Sequence, residues 1–184
     1  IFKLWIDTPV VLNLIEGIIK MLIFLIYLWA VSHMSDIKRV FEYHGAEHKT
    51  IFCHESGNEL TIENVQKFKR FHPRCGTSFL FVMMFIGILF SVLVIHLPVF
   101  VRVPIKILFL PLIVGVGFEF IKYAGKSNSL IMRILSAPGL WVQRLTTKEP
   151  DDGQIEVAIT ALRASLPEIY ENNNAEQENT DTQE

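Results

Sequence analysis

The sequence predicts an all-α, polytopic membrane protein with about three transmembrane helices and a cytoplasmic helical segment that binds metal. Two observations predict this fold class. Hydrophobic residues make up 51% of the 184 residues, and they are concentrated in long runs, which is typical of chains that cross a bilayer. Basic residues are grouped in the polar segments between these runs, as in membrane proteins with a defined orientation. The lipid bilayer is therefore the first partner that we expect.

Three apolar runs are long enough to form transmembrane helices. They cover residues 10–34, 78–94 and 105–123, and a helix needs about 20 apolar residues to cross the hydrocarbon core. The third run contains Pro111, so we expect a kinked helix. It also contains Glu119, which we expect to point into the helix bundle and to pair with a lysine, Lys122 or Lys20.

The distribution of basic residues predicts the topology. The segment 35–77 contains seven Lys or Arg residues, whereas the short turn before the third run contains Arg102 and, at its edge, Lys106. By the positive-inside rule the segment is cytoplasmic and the turn is external. We therefore expect a plasma-membrane protein whose metal-binding segment and C-terminus are cytoplasmic. Because the first residue is Ile1 rather than Met, we also expect further sequence upstream.

Composition predicts how the chain divides into five segments. The last residues are acidic and polar, so we expect them to be disordered. Near the cytoplasmic helices, Pro138 and Gly139 are expected to break the amphipathic stretch 128–145, and Asp151 with Asp152 marks the start of the following helix. The predicted segments are 1–34 with the first transmembrane helix, 35–77 with the metal-binding residues, 78–125 with the second and third transmembrane helices, 126–170 with cytoplasmic amphipathic helices, and the tail 171–184.

The charge argues against a nucleic-acid-binding protein, and the cysteine content argues against a disulfide-rich secreted domain. The formal net charge of −2 gives no basic surface for phosphate backbones, so no nucleic-acid partner is expected. The two cysteines, Cys53 and Cys75, are too few for the disulfide framework of a secreted domain. In the cytosol a reduced thiol or a metal thiolate is favoured for them. Cys53 is expected to pack as a small hydrophobic residue.

His44, Glu47 and His48 form the motif H-x-x-E-H. On a helix, two histidines four residues apart lie one turn apart on one face, so both imidazoles can reach one ion. Glu47 is then placed either as a general base or as a residue that orients a ligand. The motif is short, and exposed histidines on a helix beside the membrane are the simpler interpretation.

A second pair of metal-binding residue types lies further along the chain. His72 and Cys75 are three residues apart in a turn that contains Pro73 and Gly76, immediately before the second apolar run. Imidazole and thiolate ligands suit Zn²⁺, so His44, His48, His72 and Cys75 are the predicted zinc ligands. In the simpler interpretation, His72 and Cys75 only cap the second transmembrane helix.

Three stretches of the sequence resemble the YqhQ-like bacterial membrane proteins, a domain of unknown function described as a predicted metal-dependent enzyme. They are 41–50 (FEYHGAEHKT), 71–79 (FHPRCGTSF) and 138–158 (PGLWVQRLTTKEPDDGQIEVA). The resemblance implies a membrane location but no substrate. It also implies a metal role for His44, Glu47, His48, His72 and Cys75.

Two functions are consistent with these residues. The first is a zinc-dependent hydrolase at the cytoplasmic membrane face, with His44, His48 and either His72 or Cys75 as ligands and Glu47 activating water. The alternative is a zinc-stapled membrane scaffold, or an accessory subunit of a membrane protein complex such as the protein-insertion machinery. Four protein ligands would close the site and favour the scaffold, whereas three would leave a position for water and favour the enzyme.

Overall fold

In the computed structural model the described residues, 9–127 and 129–170, form helices joined by turns and short loops and contain no β-strand. The all-α class predicted from the sequence is confirmed for this part of the chain. The helices in chain order are α1 (Pro9–Val31), α2 (Ser35–Glu55), α3 (Ile62–Gln66), α4 (Gly76–Leu93), α5 (Val99–Ala124), α6 (Leu130–Thr146) and α7 (Asp152–Ser165). The predicted tail 171–184 lies outside the described residues.

Three helices, α1, α4 and α5, are long and apolar enough to cross a membrane by length and composition. α5 contains the whole of its predicted run, whereas α1 and α4 cover all but the last three residues and the last residue of theirs. α5 begins at Val99, so Arg102 lies within this helix. The predicted position of Arg102 in a turn is therefore wrong. Pro98 occupies the N-cap position with φ −56°, where its missing N–H costs no hydrogen bond of the helix. The helix then continues through Pro104 and Pro111.

The described chain divides into two compact units, each built from two separate stretches of sequence. The first unit combines the described residues up to Met34 with His72–Thr146, and it contains α1, α4, α5 and α6. The second combines Ser35–Phe71 with the described residues after Thr146, and it contains α2, α3 and α7. Helices α6 and α7, which the sequence placed in one segment, therefore belong to different units.

In the first unit, α4 packs against α1, α5 and α6. α6 is continuous from Leu130 to Thr146, so the expected break at Pro138 and Gly139 is wrong. A proline removes only one hydrogen bond of the helix, and Gly139 has a packing role. A Cβ at Gly139 would lie 3.0 Å from the Cβ of Ser78, so the absence of a side chain allows α6 to approach α4 closely.

The second unit has a small hydrophobic core. Cys53 is buried within it, which confirms its predicted role as a small hydrophobic residue, and burial raises the pKa of its thiol. Asp151 begins α7 through a capping box: it accepts a hydrogen bond from the Gln154 backbone at 2.8 Å, and its own N–H donates to the Gln154 side chain at 2.9 Å. The predicted helix start is confirmed. The buried core residues are Ala46, Cys53, Leu60, Val65, Ile155 and Ile159.

Two ion pairs lie within the apolar helices of the first unit. Lys20 Nζ is 2.6 Å from Glu16 Oε1 on α1, and Lys122 Nζ is 3.1 Å from Glu119 Oε1 on α5. The expected pairing of Glu119 with Lys122 is confirmed. The expectation that Glu119 points into the bundle is wrong, because its side chain is 67% exposed. Glu119 lies near the C-terminal end of α5, where a long side chain can reach past the helix end.

Candidate functional site

The two histidines of the H-x-x-E-H motif lie side by side on α2 in the second unit. Their ring centroids are 4.4 Å apart, and the ring planes are inclined by 65°. His48 is buried, with 3% of its surface exposed, and His44 is half-buried. The spacing of four residues therefore places both imidazoles together, as the sequence predicted. The buried position of His48 does not fit the simpler interpretation of two exposed polar residues.

A hydrogen bond determines which nitrogen of His48 carries the proton. His48 Nδ1 lies 2.5 Å from the backbone carbonyl oxygen of Arg70. A carbonyl oxygen can only accept, so Nδ1 is the donor and carries hydrogen. In the neutral ring, Nε2 is then the nitrogen that carries the lone pair. Metal-binding histidines usually have this arrangement, in which the second nitrogen donates to a carbonyl or carboxylate oxygen.

Gly45, between the two histidines, allows a second segment of the same unit to lie directly on α2. A Cβ at Gly45 would be 2.0 Å from the carbonyl oxygen of Lys148. The Lys148 backbone N–H also donates to the Phe41 carbonyl oxygen at 2.8 Å. Only glycine fits this contact, which explains the small residue inside the motif.

Glu149 joins two basic side chains next to the histidine pair. Its carboxylate oxygens lie 2.7 Å from Lys49 Nζ and 2.7 Å from Arg70 Nη1. Burial acts to raise the pKa of Glu149, but Lys49 and Arg70 lower it more, so the net shift is downward. The pair with Arg70 stabilises the residue whose carbonyl accepts from His48. Glu149 was missed in the sequence interpretation because its partners are far away in sequence, 79 residues in the case of Arg70.

The turn that carries His72 and Cys75 belongs to the first unit and is held by Gln143 of α6. Gln143 Oε1 accepts from the His72 backbone N–H at 2.8 Å, and Gln143 Nε2 donates to the His72 carbonyl at 2.6 Å and to Ser78 Oγ at 2.7 Å. Gln143 is completely buried. The sequence interpretation missed Gln143. A glutamine on the apolar face of an amphipathic helix is a signal of a buried hydrogen-bonding residue, because buried polar groups are almost always hydrogen-bonded.

Within this turn, the ring of His72 has the opposite proton arrangement to that of His48. The Arg74 backbone N–H donates to His72 Nδ1 at 3.2 Å, so Nδ1 is the acceptor and Nε2 carries the proton in the neutral ring. Cys75 is buried and is the N-cap residue of α4. Its sulfur lies 3.2 Å from Thr77 Oγ1.

Glu47 lies on the exposed side of α2 in the second unit. It lines a cavity of about 440 Å³ between α2 and α7, with Tyr43 and Ile51 on one wall and Val157 and Leu162 on the other. This cavity is mainly apolar in its lining, and Glu47 is the carboxylate in it. The role of Glu47 as a base stays a prediction.

The structure thus divides the predicted site residues into two sets, each described in its own unit. His44, Glu47 and His48 belong to the second unit, and His72 and Cys75 to the first. His54, the other histidine of α2 near the motif, instead places Nδ1 2.7 Å from the hydroxyl of Tyr170. That contact within the second unit gives His54 a separate role.

Comparison with known proteins provides a family. The family model "Protein of unknown function (DUF1385)" matches residues 1–168. The chain is 41% identical over 153 residues to "Uncharacterized protein YqhQ" of Bacillus subtilis (strain 168), an alignment that covers 83% of this chain and 48% of that protein. The chain therefore spans about half the length of this relative. No solved structure matches. The chain belongs to the DUF1385 family of proteins of unknown function, and its resemblance to YqhQ is confirmed.

Proposed function

We propose that the chain is an integral membrane metalloprotein in which His44, His48 and Cys75 bind one zinc ion; these residues are a candidate His/Cys ligand group. The observation that carries the proposal is the hydrogen bond between His48 Nδ1 and the Arg70 carbonyl. It places the proton of the neutral ring on Nδ1, so Nε2 is the nitrogen with metal-ligating character, and it holds the ring as metal-binding histidines are held. Two imidazoles and one thiolate are typical zinc ligands.

The length of the chain between the two ligand pairs supports a shared ion. His48 contacts the carbonyl of Arg70, and Cys75 follows Arg70 by only five residues. Five residues span at most about 18 Å when fully extended, and the segment includes a turn. The covalent connection therefore limits how far the Cys75 thiol can lie from the Arg70 carbonyl, and a shared ion is compatible with this limit.

The proton arrangement of His72 favours three protein ligands. With Nδ1 accepting from the Arg74 backbone and the proton of the neutral ring on Nε2, His72 does not offer the Nε2 lone pair to a metal ion. Zinc sites with three protein ligands retain a fourth position for water, and in that state zinc supplies Lewis-acid chemistry for hydrolysis. We therefore propose a zinc-dependent hydrolase. Glu47 follows His44 by three residues and precedes His48 directly, and it is the carboxylate that we expect to accept a proton from the attacking water.

We place this site at the cytoplasmic face of the plasma membrane. The support is the group of seven basic residues in 35–77 together with the three helices that can cross a membrane. The apolar cavity beside Glu47 favours a substrate with an apolar portion over a small hydrophilic one.

The first experiment measures metal content in the full chain, purified in detergent. We expect about one zinc per chain, and we expect its loss in His48→Ala and in Cys75→Ser. His54→Ala is the matched control, because His54 is on the same helix but contacts Tyr170; it should retain zinc. Equal zinc content in His48→Ala and His54→Ala would overturn the proposed ligand set.

A second experiment separates the hydrolase from the scaffold. The zinc is replaced by Co²⁺, and the visible spectrum is recorded before and after addition of acetohydroxamate. An open fourth position predicts a change of the cobalt spectrum, whereas a site closed by His72 predicts none and would favour the scaffold. Glu47→Gln should keep the metal and the hydroxamate response, since Glu47 is proposed to move a proton and not to bind the ion.

A further inference from the structure

The first unit contains a polar cavity between helices that can cross a membrane. It has a volume of about 380 Å³ and lies between α1, α4 and α5. Its charged lining consists of Glu16 and Lys20 from α1 and of Arg102 and Lys106 from α5. This cavity shares no residue with the proposed zinc site, so an inference about it is independent of the proposed function.

The cavity has an excess of positive charge. Lys20 pairs with Glu16 at 2.6 Å, which leaves Arg102 and Lys106 as the two additional cations. Arg102 Nη1 donates to the Ile95 carbonyl at 3.4 Å. Among the carboxylates of the residues that the structure describes, none forms an ion pair with Arg102 or Lys106. Three cations and one carboxylate give the lining a formal charge of +2.

The position of the charged residues along the helices argues against a purely structural role. Glu16 and Lys106 each follow the first residue of their helix by seven positions, a rise of about 10 Å. Charges at such depth in a membrane are costly, and they are usually retained where they face a cavity and bind a partner. The same end of the unit includes Ser91, two residues before the end of α4, so the cavity is near one membrane surface.

We propose that this cavity binds a phosphate group, either free or in the headgroup of an anionic lipid. A phosphate carries one or two negative charges and matches the excess of +2. The planar guanidinium of Arg102 is suited to two phosphate oxygens, and Lys106 supplies a point charge. Asn13 and Ser91, which also line the cavity, can donate to the remaining oxygens. A volume of about 380 Å³ accommodates a phosphorylated headgroup but not a complete lipid.

A glycine in the wall provides a variant that blocks the cavity without changing its charge. Gly87 lines the cavity, and a Cβ added there would meet no atom within 4 Å. The Cβ of Gly87→Leu therefore has room, and we expect the rest of its side chain to extend into the cavity. Gly115 of α5 is the matched control, since a Cβ there also meets no atom within 4 Å and the residue does not line the cavity.

The experiment is a calorimetric titration of the full chain in a maltoside detergent at constant ionic strength. The probes are inorganic phosphate, dihexanoyl phosphatidylglycerol and, as a zwitterionic control, dihexanoyl phosphatidylcholine. Binding of inorganic phosphate identifies a free phosphate as sufficient, and binding of phosphatidylglycerol alone identifies a lipid headgroup. Both results support the proposal. Absence of binding by both anionic probes would overturn it.

The variants test whether the charges of the cavity are responsible. Arg102→Gln with Lys106→Gln should weaken binding at least roughly tenfold, since the charge-assisted hydrogen bonds of both side chains are lost. Gly87→Leu should abolish binding, and Gly115→Leu should leave it unchanged. Glu16→Gln should tighten binding several-fold, because it removes the negative charge that repels the ligand. A merely structural role predicts no gain in Glu16→Gln, and binding that survives in Gly87→Leu would refute this location.

Discussion

Gly45→Ala tests most sharply whether the close contact beside the histidine pair stabilises the second unit. The added Cβ would begin 2.0 Å from the Lys148 carbonyl oxygen, and real Cβ contacts are essentially never shorter than 3.0 Å. The backbone at Lys148 must therefore move by about 1 Å. That movement would stretch the 2.8 Å hydrogen bond from Lys148 N–H to the Phe41 carbonyl beyond a normal length.

The expected cost follows from these two changes. Overpacking of a close contact costs about 1–3 kcal/mol, and a lost hydrogen bond adds about 0.5–1.5 kcal/mol. The free energy of unfolding of the second unit should fall by at least about 1.4 kcal/mol, which corresponds to a tenfold increase in the open population. Because α2 carries His44 and His48, the same change should weaken zinc binding.

The assay is the rate of alkylation of Cys53, which is 0% exposed in the core of this unit. The full chain is treated with chelator in detergent, and mass spectrometry of peptides separates Cys53 from Cys75. Alkylation should be at least roughly tenfold faster in Gly45→Ala. Gly153→Ala is the matched control, because its Cβ would meet only Asp151 Oδ1 at an ordinary 3.5 Å. Equal rates in Gly45→Ala and the unmodified chain would refute the reasoning.

Three further predictions follow from the site and its topology. Gln143→Leu should lower the thermal midpoint and the zinc affinity. The His72 backbone N–H and carbonyl would both lose their hydrogen bonds to Gln143, at a cost of about 2 kcal/mol or more. The control Arg144→Leu, at the exposed neighbouring position, should change neither quantity, and an equal effect of the two variants would contradict this prediction. Glu149→Gln should lower the free energy of unfolding at neutral pH by about 1 kcal/mol after solvent screening, and the thermal midpoint with it. The pKa of Glu149 is lowered in the folded chain, so the stabilisation that ionised Glu149 provides is present above about pH 4.5 and is lost as the pH falls through the lowered pKa. A difference in thermal midpoint between the unmodified chain and Glu149→Gln that stays constant on acidification would refute this. A C-terminal fusion to green fluorescent protein should be fluorescent and a fusion to alkaline phosphatase inactive, and the reverse pattern would contradict the cytoplasmic C-terminus.

Local patterns in the sequence predict the helices and the histidine pair. A long apolar run has few alternatives to a helix, so α1, α4 and α5 each cover all or nearly all of a predicted run. The contact between His44 and His48 depends only on helix geometry, since residues four apart always lie on one face. The capping box at Asp151 is equally local. These features require no knowledge of tertiary packing.

The residues that hold the site could not be predicted in this way, because their partners are distant in sequence. The Arg70 carbonyl lies 22 residues from His48, and Gln143 lies 71 residues from His72. Tertiary packing also overrides local preference at Pro138: the break that proline favours is absent, and Gly139 next to it lies against Ser78. Only the folded chain shows which backbone groups accept these hydrogen bonds.

The most direct measurement of the central claim is X-ray absorption spectroscopy at the zinc edge on the purified full chain. The proposed ligand set predicts one sulfur at about 2.3 Å from the zinc and two imidazole nitrogens at about 2.0–2.1 Å, with the remaining position filled by oxygen. The sulfur contribution should disappear in Cys75→Ser and remain in Cys53→Ser. A spectrum of the unmodified chain without sulfur, or with three imidazoles and sulfur, would contradict a site formed by His44, His48 and Cys75.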